Sequence, residues 1–264
     1  MIAFPHIDPV AISLGPLAVR WYGLMYVFGF AAAWWLGRMQ TKRPNSPVTT
    51  EQFEDLLTWI IAGVILGGRV GYVLFYQLDY FLEKPLKIFA VWEGGMSFHG
   101  GLLGVTTVVI LFALRHKIPL LSMGDFIAPL APPGLFFGRM GNFMNQELWG
   151  RVTDAPWGVV FPAALPVGVP RHPSQLYEGV LEGLVLFVVL WTVALKTEKK
   201  GLVLGLFFTG YGLARFTVEF FRQPDAQLGF LAFNWLTMGQ ILSFPMILLG
   251  VLLMRRSCCS SCDL

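Results

Sequence analysis

An all-α polytopic membrane protein, with about seven transmembrane helices and a small irregular extracytoplasmic cap, is the fold class this sequence predicts. Three observations carry that expectation. Hydrophobic residues make up 55% of the 264 residues and charged residues only 13%, with a mean hydropathy of +0.63. That balance suits a lipid-facing surface and excludes a water-soluble core. Apolar segments recur near the roughly 20 residues that cross a hydrocarbon layer, and basic residues collect on alternate loops.

The chain opens Met1-Ile2-Ala3-Phe4-Pro5-His6-Ile7-Asp8-Pro9, and its first basic residue is Arg20. Without the basic start of a cleavable leader, the amino end is expected to be retained and exported. Apolar segments then run at about 17–37, 56–76, 96–114, 124–141, 176–195, 201–221 and 237–254. Seven helices place the termini on opposite sides. Arg38, Lys42, Arg43, Arg115, Lys117, Lys196, Lys199, Lys200, Arg255 and Arg256 fall on one set of loops. Lys84, Lys87, Arg151, Arg171 and Arg222 fall on the other. The richer set marks the cytoplasm. The carboxyl end is therefore expected inside, with the amino end and the 142–175 connection outside.

One membrane-embedded domain covering 1–264 is expected, with 142–175 inserted as the cap between the fourth and fifth helices. That stretch is dense in turn formers (Pro156, Gly158, Pro162, Pro166, Gly168, Pro170, Pro173), which predicts irregular or short-stranded structure. No repeated half is visible, which counts against an inverted-repeat transporter. Cys258, Cys259 and Cys262 lie in the last seven residues, so no disulfide framework holds the fold. Their spacing admits a metal site or palmitoylation, but a polar tail is the expected reading. The net charge of +3 comes with no nucleic-acid motif.

In the second helix Gly63, Gly67 and Gly71 recur every four residues, a pattern that lets another helix approach closely. Arg69 lies on a different face, free to snorkel toward phosphates or to join a polar interior. On the expected topology Tyr26 and His99 lie roughly two or three turns below the outer surface at 1.5 Å per residue, and Arg139 and Arg215 within about two turns of it, so the four reach one level in the outer half of the membrane. Tyr211, Arg215, Glu219 and Arg222 follow at intervals of four, four and three, so they share a face. Arg139, Asn142 and Gln146 do the same if the fourth helix continues that far. A stripe holding two guanidiniums and one carboxylate, with Arg139 level with it, predicts excess positive charge. An anionic headgroup would neutralise it, because arginine's planar fork fits phosphate oxygens; a purely structural ion-pair network is the alternative.

His99 stands in Ser97-Phe98-His99-Gly100-Gly101, where it is either a satisfied structural residue or a base titrating near neutral pH. Its glycines admit a ligand or a neighbouring helix. His172-Pro173-Ser174-Gln175-Leu176-Tyr177-Glu178 opens the fifth helix, with Ser174 expected as a cap. No serine elbow, zinc-ligand spacing or phosphate-binding glycine loop is present, and neither metal nor cofactor is expected.

Trp21-Tyr22-Gly23-Leu24-Met25-Tyr26, Phe98-His99-Gly100-Gly101-Leu102 and Gly138-Arg139-Met140-Gly141-Asn142-Phe143 through Arg151 occur in that order. His172 through Glu178 and Arg215-Phe216 through Arg222 follow. Together they closely resemble the prolipoprotein diacylglyceryl transferases of bacterial inner membranes over nearly the whole chain. The resemblance implies transfer of the diacylglyceryl group of phosphatidylglycerol to the lipobox cysteine thiol of a preprolipoprotein signal peptide, releasing glycerol phosphate. It carries Arg139 over as the phosphatidylglycerol contact, with Arg215 assigned to the same group. Tyr26, Asn142 and Glu147 carry over as shapers of the headgroup site, Glu147 expected to orient an arginine. Tyr211, Glu219 and Arg222 join the substrate-binding set, and His99 is the expected base. The partners are those two substrates and membrane lipids, the expected state is a monomer, and the location is the inner membrane. An anion or lipid transporter, or a scaffold for lipoprotein processing, are the competing readings.

Overall fold

The computed structural model describes residues 1–15, 17–224, 229–233 and 235–259; Cys262 lies outside them. Chain order runs β1 (Ile2–Ala3), β2 (Val10–Leu14), β3 (Leu17–Arg20), α1 (Trp21–Thr41), α2 (Thr50–Tyr76), α3 (Leu78–Glu83) and α4 (Phe98–Arg115). It continues through α5 (Leu120–Ile127), α6 (Ala131–Met144), β4 (Val159–Val160), β5 (Pro170–Arg171), α7 (Ser174–Glu178), α8 (Leu186–Lys196), α9 (Leu202–Val218) and α10 (Met238–Cys259). The chain is mostly helical. Among the described residues five helical stretches are long and apolar enough to span a membrane: Thr50–Tyr76, Phe98–Arg115, Leu120–Met144, Ser174–Lys196 and Met238–Cys258. Leu202–Val218 is apolar but shorter.

Two spans depart from the expected regular helices. Leu120–Met144 passes from α5 through a 3-10 turn at Ala128–Leu130 into α6; Pro129 lacks the amide that a continuous helix would use there. Ser174–Lys196 passes from α7 through a π-helical turn, Gly179–Val185, into α8. The first apolar segment is also divided. Leu17–Arg20 pairs with β2 as an antiparallel hairpin, and helix starts only at Trp21.

The chain forms two compact units, Met1–Leu36 with Gly124–Leu264, and Gly37–Met123. In the first, β4 pairs with β5 antiparallel and with β1 in parallel, so the 142–175 connection borrows a strand from the amino end. Phe4, Phe143, Phe161 and Trp149 cluster together there. Leu186, Leu190 and Ala194 of α8 pack with Ala128 and Val203. Asp125 caps α9, its carboxylate accepting from the amides of Gly201 and Leu204.

In the second unit α2 opens with a capping box between Thr49 and Gln52. It packs on α4 glycine against glycine: a Cβ on Gly67 would strike the Gly100 carbonyl, and one on Gly104 the Gly63 carbonyl. The expected close approach is therefore real, and the glycines after His99 serve a helix contact. Arg69, only 5% exposed, does not snorkel; of the two expected fates it takes the polar interior, one made of backbone carbonyls. Its guanidinium donates to the carbonyls of Lys87, Ile88, Ala90, Gly94 and Gly95 and folds the 85–95 segment around itself.

Candidate functional site

The site in the first unit starts from three helices that each bring charge to one place. α6 supplies Arg139, α9 supplies Tyr211 and Arg215, and the turn after α9 supplies Glu219 and Arg222. Glu178 ends α7, and Glu182 follows on the π turn. Glu178 is fully buried and gathers all three guanidiniums. Arg139 Nε lies 2.6 Å from its Oε2, and Arg222 Nη1 and Arg215 Nη1 lie 3.0 and 3.4 Å from its Oε1. Arg215 Nη2 meets Glu219 Oε2 at 2.8 Å. Arg139 Nη2 is 3.7 Å from Oε2 of Glu182, which is also fully buried.

Burying a charge is costly unless it is paired, and this cluster pairs three guanidiniums with three carboxylates. The excess positive charge expected from the α9 stripe is therefore absent in the charged cluster as it stands. The balancing acids, Glu178 and Glu182, come from the Ser174–Lys196 stretch. The two central arginines stay reachable, with side-chain exposures of 18% for Arg139 and 17% for Arg215, while Glu178 and Glu182 are at 0%. The two arginine side chains keep some exposure, while the acids keep almost none.

The start of the Ser174–Lys196 stretch works as an anchor. Pro173 is the N-cap and makes no side-chain cap bond, so Ser174 is not the expected cap; its hydroxyl donates to the Leu148 carbonyl at 3.0 Å. The Gln175 amide donates to the Glu147 carbonyl at 2.6 Å. Both bonds hold a tight turn in which Gln146 and Leu148 adopt positive φ. α6 has ended at Met144, so Gln146 leaves the Arg139–Asn142 face, and its side-chain oxygen accepts from the Ala163 amide instead.

One helical turn beyond Arg139, Asn142 donates to Glu147 Oε1 at 2.7 Å. Glu147 thus holds Asn142, where an arginine was expected. Tyr22 adjoins this pair, and its hydroxyl is 3.2 Å from that of Tyr26, which is 47% exposed. Two helpers had no assigned role in the sequence. Arg151 donates to the carbonyls of Arg222 and Glu219, fixing the turn after α9. Gly239, opening α10, leaves room for the Glu219 carboxylate, which a Cβ there would meet at 2.8 Å. Beside the cluster in sequence, Trp157, His172, Leu176, Tyr177, Val218 and Phe221 line an apolar cavity of about 470 Å³. Burial lowers the His172 pKa, and its Nδ1 is 3.1 Å from the Tyr177 hydroxyl.

His99 stands in the second unit, in the first turn of α4 behind the Ser97 cap, its ring edge-on to Phe98. Tyr211 stacks on Phe207 and faces Glu182 and Arg215.

The sequence model of the prolipoprotein diacylglyceryl transferase family matches residues 9–256. The chain belongs to this family. Among its relatives, the phosphatidylglycerol–prolipoprotein diacylglyceryl transferase of Nitratidesulfovibrio vulgaris strain DP4 is 58% identical over 255 residues, 97% of this chain and 96% of that one. The transferase of the same name from Solidesulfovibrio magneticus is 57% identical, covering 97% of each chain. That of Photobacterium profundum is 58% identical over 96% of this chain and 94% of its own. Every cluster residue named above lies inside the family match.

Proposed function

We propose that the arginine–glutamate cluster is the headgroup site at which this chain transfers the diacylglyceryl group of phosphatidylglycerol to the lipobox cysteine of a preprolipoprotein. The observation that carries this reading is the contrast in exposure: the Arg139 and Arg215 side chains are partly exposed while the acids that balance them are buried. An incoming phosphodiester meets two guanidinium forks held at fixed positions, the geometry that binds phosphate bidentately. Tyr26, Asn142 and Glu147 shape the glycerol side of the headgroup, and Tyr211, Glu219 and Arg222 keep the arginines in place. The apolar cavity between Trp157 and Phe221 suits hydrocarbon.

In the reaction the cysteine sulfur bonds to the glyceryl carbon as that carbon's bond to the phosphate oxygen breaks. The electron pair leaves on the phosphate, and glycerol phosphate departs. In such chemistry, preorganised donors aimed at the developing charge usually lower the barrier more than any other device, and the two arginines occupy that role. A free thiol titrates near 8.5 and must be deprotonated to attack; His99 is assigned as the acceptor of its proton. The topology we propose has seven spans, the amino end and a 142–175 cap outside, and a monomer in the inner membrane, which puts the chain's own cysteines on the cytoplasmic side. The nucleophile is then the substrate's.

Purified protein given phosphatidylglycerol and a lipobox peptide tests this. Glycerol phosphate should appear in step with a peptide mass gain of one diacylglyceryl group. Lipid binding without that product would overturn the reading in favour of a transporter. Single-turnover assays of His99→Gln test the base: a loss of about 10²-fold or more is expected, and activity near that of the parent would make His99 structural.

A further inference from the structure

By formal charge three arginines balance three glutamates in the cluster, but the glutamates are not equally held. Glu178 has three guanidiniums and Glu219 has Arg215. Glu182 is fully buried and neither of its oxygens accepts a hydrogen bond; Glu178 Oε2 and Glu219 Oε2 accept none either, but their guanidiniums lie at 2.6 and 2.8 Å, whereas the cation that Glu182 meets, Arg139 Nη2, stands off at 3.7 Å. Arg139 is correspondingly two-sided. Its Nε lies 2.6 Å from Glu178 Oε2, and its Nη2 faces the loosest acid of the set.

A phosphodiester adds one negative charge to this cluster. In a dry site, an uncompensated charge is expensive, and the ordinary escape is to neutralise a group by moving a proton. The charged and titratable groups around Glu182 are Glu178 from α7, Arg139 from α6, Tyr211 and Arg215 from α9, and Arg222 beyond it. Protonating Glu178 or Glu219 would break short ion pairs. Protonating Glu182 breaks only the loose one and frees the Arg139 edge that the phosphate needs.

We propose that Glu182 is a positioning residue for Arg139: it holds the outer guanidinium nitrogen in the empty site and takes up a proton when an anionic headgroup takes its place. This rests on the reading of Arg139 as the phosphate contact. Lipid affinity then falls as pH rises, because the bound form carries one proton more than the free form.

Calorimetry of phosphatidylglycerol binding to the full chain in detergent, in buffers of different ionisation enthalpy, tests this. The parent protein should take up about one proton per lipid and lose about tenfold in affinity per pH unit across the coupled range. Glu182→Gln should take up none, bind independently of pH, and match at high pH the parent's low-pH affinity. Glu182→Asp should restore the slope. Proton uptake persisting in Glu182→Gln, or absent in the parent with lipid bound, overturns the inference; if Glu182→Gln fails to fold, the parent's proton count decides alone. Undiminished lipid binding by Arg139→Ala overturns instead the headgroup assignment beneath it.

Discussion

Arg69 and Arg139 are both arginines placed within apolar helices, and they are satisfied in opposite ways. Arg69 is buried and donates to five neutral backbone carbonyls of one loop. With dipoles as its partners, it offers a ligand no anion to displace, and the residue's work ends with holding the loop. Arg139 is balanced by carboxylates and its side chain stays partly exposed. The difference teaches what to ask of a guanidinium in a membrane protein: whether its partners are dipoles that fold around it or charges that an anion can replace.

Substitutions sharpen that contrast, beginning where the most charge is at stake. Glu178→Gln leaves three guanidiniums without their shared acid, so a loss of about 3–5 kcal/mol in stability is expected on thermal or denaturant unfolding in detergent. Arg139→Ala should lower turnover by about 10²–10³-fold, read as glycerol phosphate release. Arg69→Ala should do the reverse: a stability loss of about 2–3 kcal/mol from stranded carbonyls, with turnover of the folded fraction preserved. Equal losses of turnover from Arg69→Ala and Arg139→Ala would erase the distinction. The smallest change is Gly239→Ala, whose methyl pushes Glu219 from Arg215; about 1 kcal/mol and a measurable rise in the lipid KM are expected.

The two regions are also legible in the sequence to different degrees. Gly63, Gly67 and Gly71 announce close helix packing because their interval matches a helical face. The Tyr211–Arg222 stripe is visible for the same reason. The partners of Arg69 are backbone carbonyls, which no side-chain pattern reveals. Glu178 reads as an ordinary acid near a helix start, and the π turn carrying Glu182 has no signature of its own, so a charge count from the sequence alone is too positive. Gln146 leaves its expected face because the helical period stops at Met144, where a turn set by positive φ takes over. Charge alone pairs Glu147 with an arginine; the amide of Asn142, five residues away, is closer at hand.

The π turn at Gly179–Val185 has one more effect, on alignment. Glu178, Glu182, Leu186, Leu190 and Ala194 are all buried and recur every four residues. In an unbroken α-helix of 3.6 residues per turn, each such step overshoots by about 40°, so the five would fan through about 160° and the ends would point nearly apart. A π turn is wider, and a step of four falls short in it. The lag over Glu178–Leu186 offsets the overshoot over Leu186–Ala194, and one straight seam results. Deleting a single residue from the turn would leave α8 to carry its leucines inward while rotating both acids out of the cluster.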